Sequence, residues 1–406
     1  MTRSQFDIII LFSTRIIRLF GYGFLSVILV LYLVQIGLSE QEVGLLLTLT
    51  LLGDAGISLW MTTSADRIGR RKMLILGSLL IIFSGILFIT TDSLILLIFS
   101  AIIGVISPSG NEIGPFLSIE QATLSQLLPD KKRTHTFGWY VFAGSLATAL
   151  GSLGCGLLVA YLQQSGLTPL ESYRVVFIGY IISGMILFVL FLSLSPAVEV
   201  TVTQSPRVHY TLGLHQSKTV VAKLSVLFAL DAFAGGFVVQ TIVAYWFYLK
   251  FGVSEETLGI LFFVGNILAG FSALLATHLA TRIGLINTMV FTHLPSNILL
   301  CLVPFMPNLS SAIVMLLLRF SISQMDIPAR QSYTMAVVTP DERSAASGVT
   351  TIARSIGASL SPVMSGYFLA NPLLFAAPFL VAGGLKIIYD LLLYQSFKAL
   401  KPPEEV

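Results

Sequence analysis

Twelve charged side chains lie inside otherwise apolar stretches of the chain. The bases are Arg15, Arg18, Arg319, Arg330, Arg354 and Lys386, and the acids are Asp54, Glu112, Glu120, Asp231, Asp326 and Asp390. A charge at bilayer depth costs ~3 kcal/mol or more, so such residues mark function by default. Equal numbers of the two signs imply pairing, because an unpaired buried charge neutralises or distorts its surroundings. An arginine offers a planar fork for carboxylate or phosphate, and a buried carboxylate can carry a proton. The chemistry implied is recognition of a small anion or zwitterion together with proton movement.

Helical spacing groups these residues. At ~100° per residue, Arg15, Arg18, Tyr22 and Ser26 share one face, and so do Asp231, Gly235 and Tyr245. Arg319, Asp326 and Arg330 fall within ~40° of one another on the tenth helix. Arg15, Arg18, Tyr22, Arg319, Asp326 and Arg330, on such shared faces, are the candidates for binding a substrate. Asp326, one turn from Arg330, reads as a salt-bridge member. Asp231 has no base within a turn of its own helix, so it is an expected proton carrier partnered by Arg15 or Arg18. Glu112 and Glu120 are the next carriers, on a segment that Pro108 and Pro115 should bend. Lys386 and Asp390, four residues apart, are expected to pair with each other. Asp54 and Arg354 are expected to latch the two halves of the chain together.

The elements that must hold these charges follow from composition. Of 406 residues, 55% are hydrophobic and only 11% charged. That is less than half the charge of a soluble domain, which excludes a soluble globule, disorder and a coiled coil. Twelve apolar segments, about 20 residues each or longer, suit a ~30 Å hydrocarbon core. They run over 7–36, 41–64, 73–91, 94–126, 137–162, 174–195, 223–250, 256–281, 286–306, 310–338, 345–369 and 374–396. The first has no cleavage site after a short core and reads as a retained helix. With the N-terminus in the cytoplasm, fifteen Lys and Arg fall in inside segments and two, Arg174 and Lys250, outside. The positive-inside bias then places both termini in the cytoplasm. Trp60, Trp139 and Trp246 sit near helix ends as interfacial anchors.

The fold expected is an all-α membrane protein of twelve transmembrane helices in two pseudo-symmetric six-helix bundles. Residues 1–195 form the first bundle, 196–222 a cytoplasmic linker and 223–406 the second bundle. The linker histidines His209 and His215 read as solvated loop residues. The two halves repeat. Gly37-Leu38-Ser39-Glu40 returns as Gly252-Val253-Ser254-Glu255, and Arg67-Ile68-Gly69 as Arg282-Ile283-Gly284, both at an offset of 215 residues. So long a period is a duplicated domain, the plan of many secondary transporters.

Asp66-Arg67-Ile68-Gly69-Arg70-Arg71-Lys72, between the second and third segments, resembles the signature loop of the major facilitator superfamily, G-x-x-x-D-R-x-G-R-R. Thr62 stands where that pattern has its first glycine. The resemblance spans the whole chain and implies alternating access, with helices 1, 4, 7 and 10 around a central cavity. It implies a conformational switch at Asp66, Arg67, Gly69, Arg70 and Arg71, to which the Asp54–Arg354 latch is added. Gly151-Ser152-Leu153-Gly154-Cys155-Gly156 is similar to the glycine-proline motif of exporting members, with Ser152 in place of proline.

The function expected is secondary active transport of a small organic solute, by proton-coupled export. A proton- or sodium-coupled uptake symporter is the alternative within that class. A non-transporting receptor on the same fold is another, but it should bring a soluble domain or long tail, and the short linker and the end at Val406 argue against one. An enzyme is not expected, since His135, His209, His215, His278 and His293 are scattered and none sits beside a nucleophile. No nucleotide-binding loop appears. Cys155 and Cys301 lie in apolar runs and make neither a disulfide framework nor a metal spacing. No cofactor, metal or nucleic acid is expected. The partners expected are the lipid bilayer, a small-molecule substrate and protons, for a monomer in the cell membrane (the inner one in a prokaryote).

Overall fold

A computed structural model describes residues 3–111, 115–128, 130–199, 214–339 and 342–400. All regular structure among them is helical. Glu112 and residues 200–213, which hold most of the expected linker and His209, lie outside the described residues.

Each of the twelve apolar segments has helical counterparts, several of them in two pieces. The first half contains α1 (Arg3–Ser26), α2 (Leu29–Gln35), α3 (Glu40–Ile68), α4 (Arg70–Thr90), α5 (Leu94–Ile103), α6 (Phe116–Leu127), α7 (Asp130–Gln164) and α8 (Pro169–Leu192). The second contains α9 (Lys218–Gly236), α10 (Gln240–Phe251), α11 (Glu255–Ile283), α12 (Leu285–Leu302), α13 (Leu309–Phe320), α14 (Asp326–Ala336), α15 (Arg343–Leu360), α16 (Pro362–Leu369) and α17 (Ala377–Phe397). Among the described residues, nine helical stretches are long and apolar enough to cross a membrane. The three segments not among them contain α5 with α6, α13 with α14, and α15 with α16, which are shortened by breaks or diluted by polar residues.

Among the described residues the first, fourth, seventh and tenth segments are all interrupted, at 27–28, at 104–111 and 115, at 237–239 and at 321–325. Pro108 and Pro115 act in the fourth, as the sequence predicts. In the seventh, Gly235-Gly236 ends α9 where Gly236 is pressed so close to α15 that a Cβ would sit 2.4 Å from the Ala358 carbonyl oxygen. In the tenth, Pro328 fits the first turn of α14, where no intrahelical N–H bond is lost. The tenth segment is therefore not one continuous helix, and its predicted shared face for Arg319 and Asp326 does not form. Arg319 ends α13 and Asp326 begins α14.

Repeat residues shape helix ends in both halves. Ser39 accepts the Glu42 amide and Glu42 returns a bond to the Ser39 amide, which makes a capping box at α3. Ser254 accepts the Thr257 amide at α11. Gly69 and Gly284 have φ of +119° and +88°, and each joins one long helix to the next in a turn that a side chain would strain.

The chain forms two compact units, Met1–Thr203 with Val239–Phe263, and Gln204–Val238 with Val264–Val406. In the first, α1 packs on α7 and α8, and α4 packs on α8. In the second, α9 packs on α15 and α17, and α12 packs on α17. These pairings correspond under the internal repeat. In both units, large apolar side chains such as Ile95, Tyr161, Val226 and Leu275 face outward, while charged residues including Arg18, Glu120, Asp231 and Asp390 are buried. That inverted distribution is the one a hydrocarbon solvent demands. Trp60 and Trp139 are exposed, as interfacial anchors should be. Trp246 is fully buried instead, edge-on to Phe247 and beneath the Lys250 ammonium at 4.9 Å.

Candidate substrate and proton site

In the first unit the charges converge on Glu120. Arg18, on α1, holds it in a two-pronged pair, Nη1 to Oε1 at 2.9 Å and Nη2 to Oε2 at 2.6 Å. Thr14 donates to Oε1 at 2.9 Å, and the Tyr140 hydroxyl donates to Oε2. Arg18 and Glu120 are both fully buried. The Arg15 guanidinium lies over the Tyr140 ring at 4.4 Å and the Arg18 guanidinium over Phe116 at 4.6 Å. Tyr22 is buried one turn from Arg18. Residues on α1, α6 and α7 thus build one satisfied carboxylate with four donors, and the α1 arginines face this cluster.

In the second unit the centre is Asp231, on α9. Lys386 Nζ meets its Oδ1 at 2.5 Å. Arg330 Nη1 and Arg354 Nη1 meet its Oδ2 at 3.2 and 3.0 Å. These three bases reach Asp231 from α17, α14 and α15, all within its own unit. Arg330 also binds Asp326 at 2.8 Å across one turn of α14, the pair its spacing predicts. Lys386 does not pair with Asp390, since α17 lies beside α9 and turns the ammonium toward Asp231. Asp390 instead bonds His293 Nδ1 at 2.9 Å and Asn297 Nδ2 at 2.9 Å, both on α12. Arg354 spends its charge on Asp231, and Asp54 receives the Ser58 hydroxyl at 3.4 Å. Arg319, at the end of α13, feels the Asp231 charge but forms no ion pair among the described residues, and its buried Nε has no hydrogen-bond partner there.

The signature loop forms a third cluster. Asp66 Oδ1 accepts from Arg70 Nε at 2.8 Å, and Arg70 Nη1 reaches Gln126 Oε1 at 3.0 Å. Arg71 donates to the last carbonyls of α8, Phe191 and Leu192, while Arg67 is exposed. Glu199 accepts the Arg70 and Arg71 amides at 2.7 and 3.2 Å and so caps α4. In the second unit Glu342 accepts the amides of His215, Gln216 and Ser217 ahead of α9. Burial works to raise the Glu342 pKa, but the Ser217 bonds, the His215 amide and Thr339 outweigh it and hold the group at about 2.

Sequence reasoning missed His293, Asn297, Glu199 and Glu342. The last two were legible only as loop acids. His293 had a usable signal, because it falls inside a span with Asn297 four residues on, and an intramembrane polar pair on one face is rarely idle.

The family model of the Major Facilitator Superfamily matches residues 11–362. The chain belongs to that superfamily. An uncharacterised membrane protein of Saccharomyces cerevisiae is 29% identical over 95% of this chain and 93% of its own length. Three solved structures share the fold at low identity. A bacterial homologue of the human lysosomal transporter Spinster, inward-facing and occupied, has a TM-score of 0.73 at 17% identity, covering 96% of each chain. The nucleoside transporter NupG has a TM-score of 0.72 at 14% identity, covering 98% of this chain and all of the other. A D-xylose-proton symporter has a TM-score of 0.71 at 15% identity, covering 98% of each. Family and fold are those of multi-pass membrane transporters, as the signature loop implied.

Proposed function

We propose that this superfamily member is a proton-coupled secondary active transporter of a small organic anion or zwitterion, working by alternating access as a monomer, with both termini cytoplasmic. The observation that carries the substrate class is the charge balance around Asp231. Lys386, Arg319, Arg330 and Arg354 stand against Asp231, Asp326 and Asp390. The surplus cation, and the buried Arg319 Nε lacking a partner, favour a ligand that brings its own carboxylate or phosphate. Asp231 then serves as an internal anion whose bonds a substrate takes over.

A site short of negative charge binds an anion more tightly when a proton is added to it. That linkage favours symport. Export in exchange for protons is the second reading, and it rests on the helix 5 glycines. Packing accounts for two of these without reference to direction. A Cβ at Gly151 would sit 2.1 Å from the Phe20 carbonyl oxygen, and one at Gly156 would sit 2.6 Å from that of Glu255.

The test uses proteoliposomes holding a pH-sensitive dye and a panel of carboxylates, phosphates and neutral sugars. An anion is expected to move protons with it, and Arg319→Ala to lower its apparent affinity at least ~10-fold, the loss of one charge-assisted bond. Proton movement driven by neutral sugars alone would overturn the substrate class. Protons moving opposite to the anion would establish exchange.

A further inference from the structure

Lys386 and His293 address the same oxygen. Lys386 Nζ lies 2.5 Å from Asp231 Oδ1, and His293 Nε2 lies 4.0 Å from that same atom. The other ring nitrogen, Nδ1, is held by Asp390 Oδ1 at 2.9 Å. Asn297 Nδ2 binds the second oxygen of Asp390 at 2.9 Å and lies 3.2 Å from the same Nδ1. An ionised Asp390 accepts from Nδ1–H, and in that tautomer the lone pair is on Nε2, the nitrogen 4.0 Å from Oδ1 of Asp231. A lone pair facing an oxygen gains nothing, whereas an N–H there gains an ion pair. The ring is buried and packs edge-on against Tyr389.

We propose that His293 is the proton-carrying residue of this transporter, and that its proton competes with Lys386 for Asp231. This rests on the proton-coupled reading above and assigns the proton to an imidazole in place of the Asp231 carboxylate. The proton arrives on Nε2. The imidazolium takes over Oδ1 of Asp231, and Lys386 is released to bind the substrate anion. When the proton leaves, Lys386 returns to Asp231 and the anion loses a partner. The charged groups around Asp231 and the ring fit this exchange. Asp390 and Lys386 come from α17, Asp231 from α9, Asp326 and Arg330 from α14 and Arg354 from α15, and Arg319 is at the end of α13. Arg330 and Arg354 stay on Oδ2, so only Oδ1 changes partner.

The experiment is ring-nitrogen NMR of the full chain in nanodiscs, with labelled histidine, across an acid-to-alkaline titration. His293→Gln identifies its signal, and Asp390→Asn identifies it independently if that variant does not fold. The wild-type ring is expected to be Nδ1-protonated at alkaline pH and to gain the Nε2 proton on acidification. Lys386→Met should move that midpoint up by about one pH unit, because Asp231 loses a competing cation. A ring that keeps one protonation state throughout, or a midpoint unmoved by Lys386→Met, overturns the proposal. The dye-loaded proteoliposomes supply a second arm. If the wild type moves protons with an anion, His293→Gln should lose that movement and exchange the anion only at lower apparent affinity, and unchanged proton movement in a folded variant overturns the assignment. If the wild type moves no protons at all, the functional reading fails, whatever the NMR titration says of the ring.

Discussion

Asp231 faces three cations, and their dependence on it has a measurable consequence. Asp231→Asn leaves Lys386, Arg330 and Arg354 buried around a neutral amide. Breaking a buried pair by removing one member costs about 3–5 kcal/mol. A clearly lowered unfolding temperature of the purified variant is expected, with part of the loss recovered in concentrated citrate or phosphate, which supplies the missing anion. Asp326→Asn should cost much less, because Arg330 keeps Asp231. Equal losses in the two variants would mean that Asp231 is not the hub. Residue types were legible in the sequence, since every charge in this cluster was visible as an intramembrane charge. Partners were not, because the bases meeting Asp231 lie 99, 123 and 155 residues away along the chain. His293 could have been noticed as an intramembrane polar residue, but its partner could not, with Asp390 97 residues distant.

Two helices begin on a glutamate supplied by a distant loop, α4 on Glu199 and α9 on Glu342. An anion at a helix N-terminus satisfies orphan amides and meets the positive end of the dipole. Glu342 is held at about 2 against an ordinary glutamate value near ~4.3. A depressed folded value contributes stability that is whole above the ordinary value and lost as pH falls toward the folded one. Hydrogen exchange should therefore show the start of α9 protected at neutral pH and opening between roughly pH 4 and pH 2. Glu342→Gln should open it at neutral pH and abolish that acid transition. A transition that survives in Glu342→Gln would assign it to another group. The positions of the long helices were legible from apolar length, and the break in the fourth segment from its prolines. The interruptions at 27–28, 237–239 and 321–325 were not, because none contains a proline, and 237–239 is set by how closely α9 meets α15.

The duplication governs the whole molecule, and the packing explains which repeat residues persist. Ser39 and Ser254 start helices, and Gly69 and Gly284 turn the chain between them, so each is fixed by backbone geometry. The glutamates of the repeated motif have further partners. Glu40 accepts the Tyr245 hydroxyl at 2.9 Å, and Glu255 accepts that of Tyr173. If the halves are parallel copies, both motifs must face one side of the membrane and both glycine turns the other. The asymmetry of basic residues predicts cytoplasmic turns, since Arg67, Arg70, Arg71, Lys72 and Arg282 crowd them while the motif side carries only Arg174 and Lys250. Single cysteines placed at the exposed Lys72 and at Lys250 separate the two orientations. Native Cys155 is buried and should label poorly, and Cys301 is replaced by serine to remove its background. In intact cells an impermeant maleimide is expected to label Lys250→Cys at once and Lys72→Cys only after the membrane is opened. Labelling of both sites from outside would break the pairing of motif and turn across the bilayer. Labelling of Lys72→Cys alone would invert the molecule and place both termini outside.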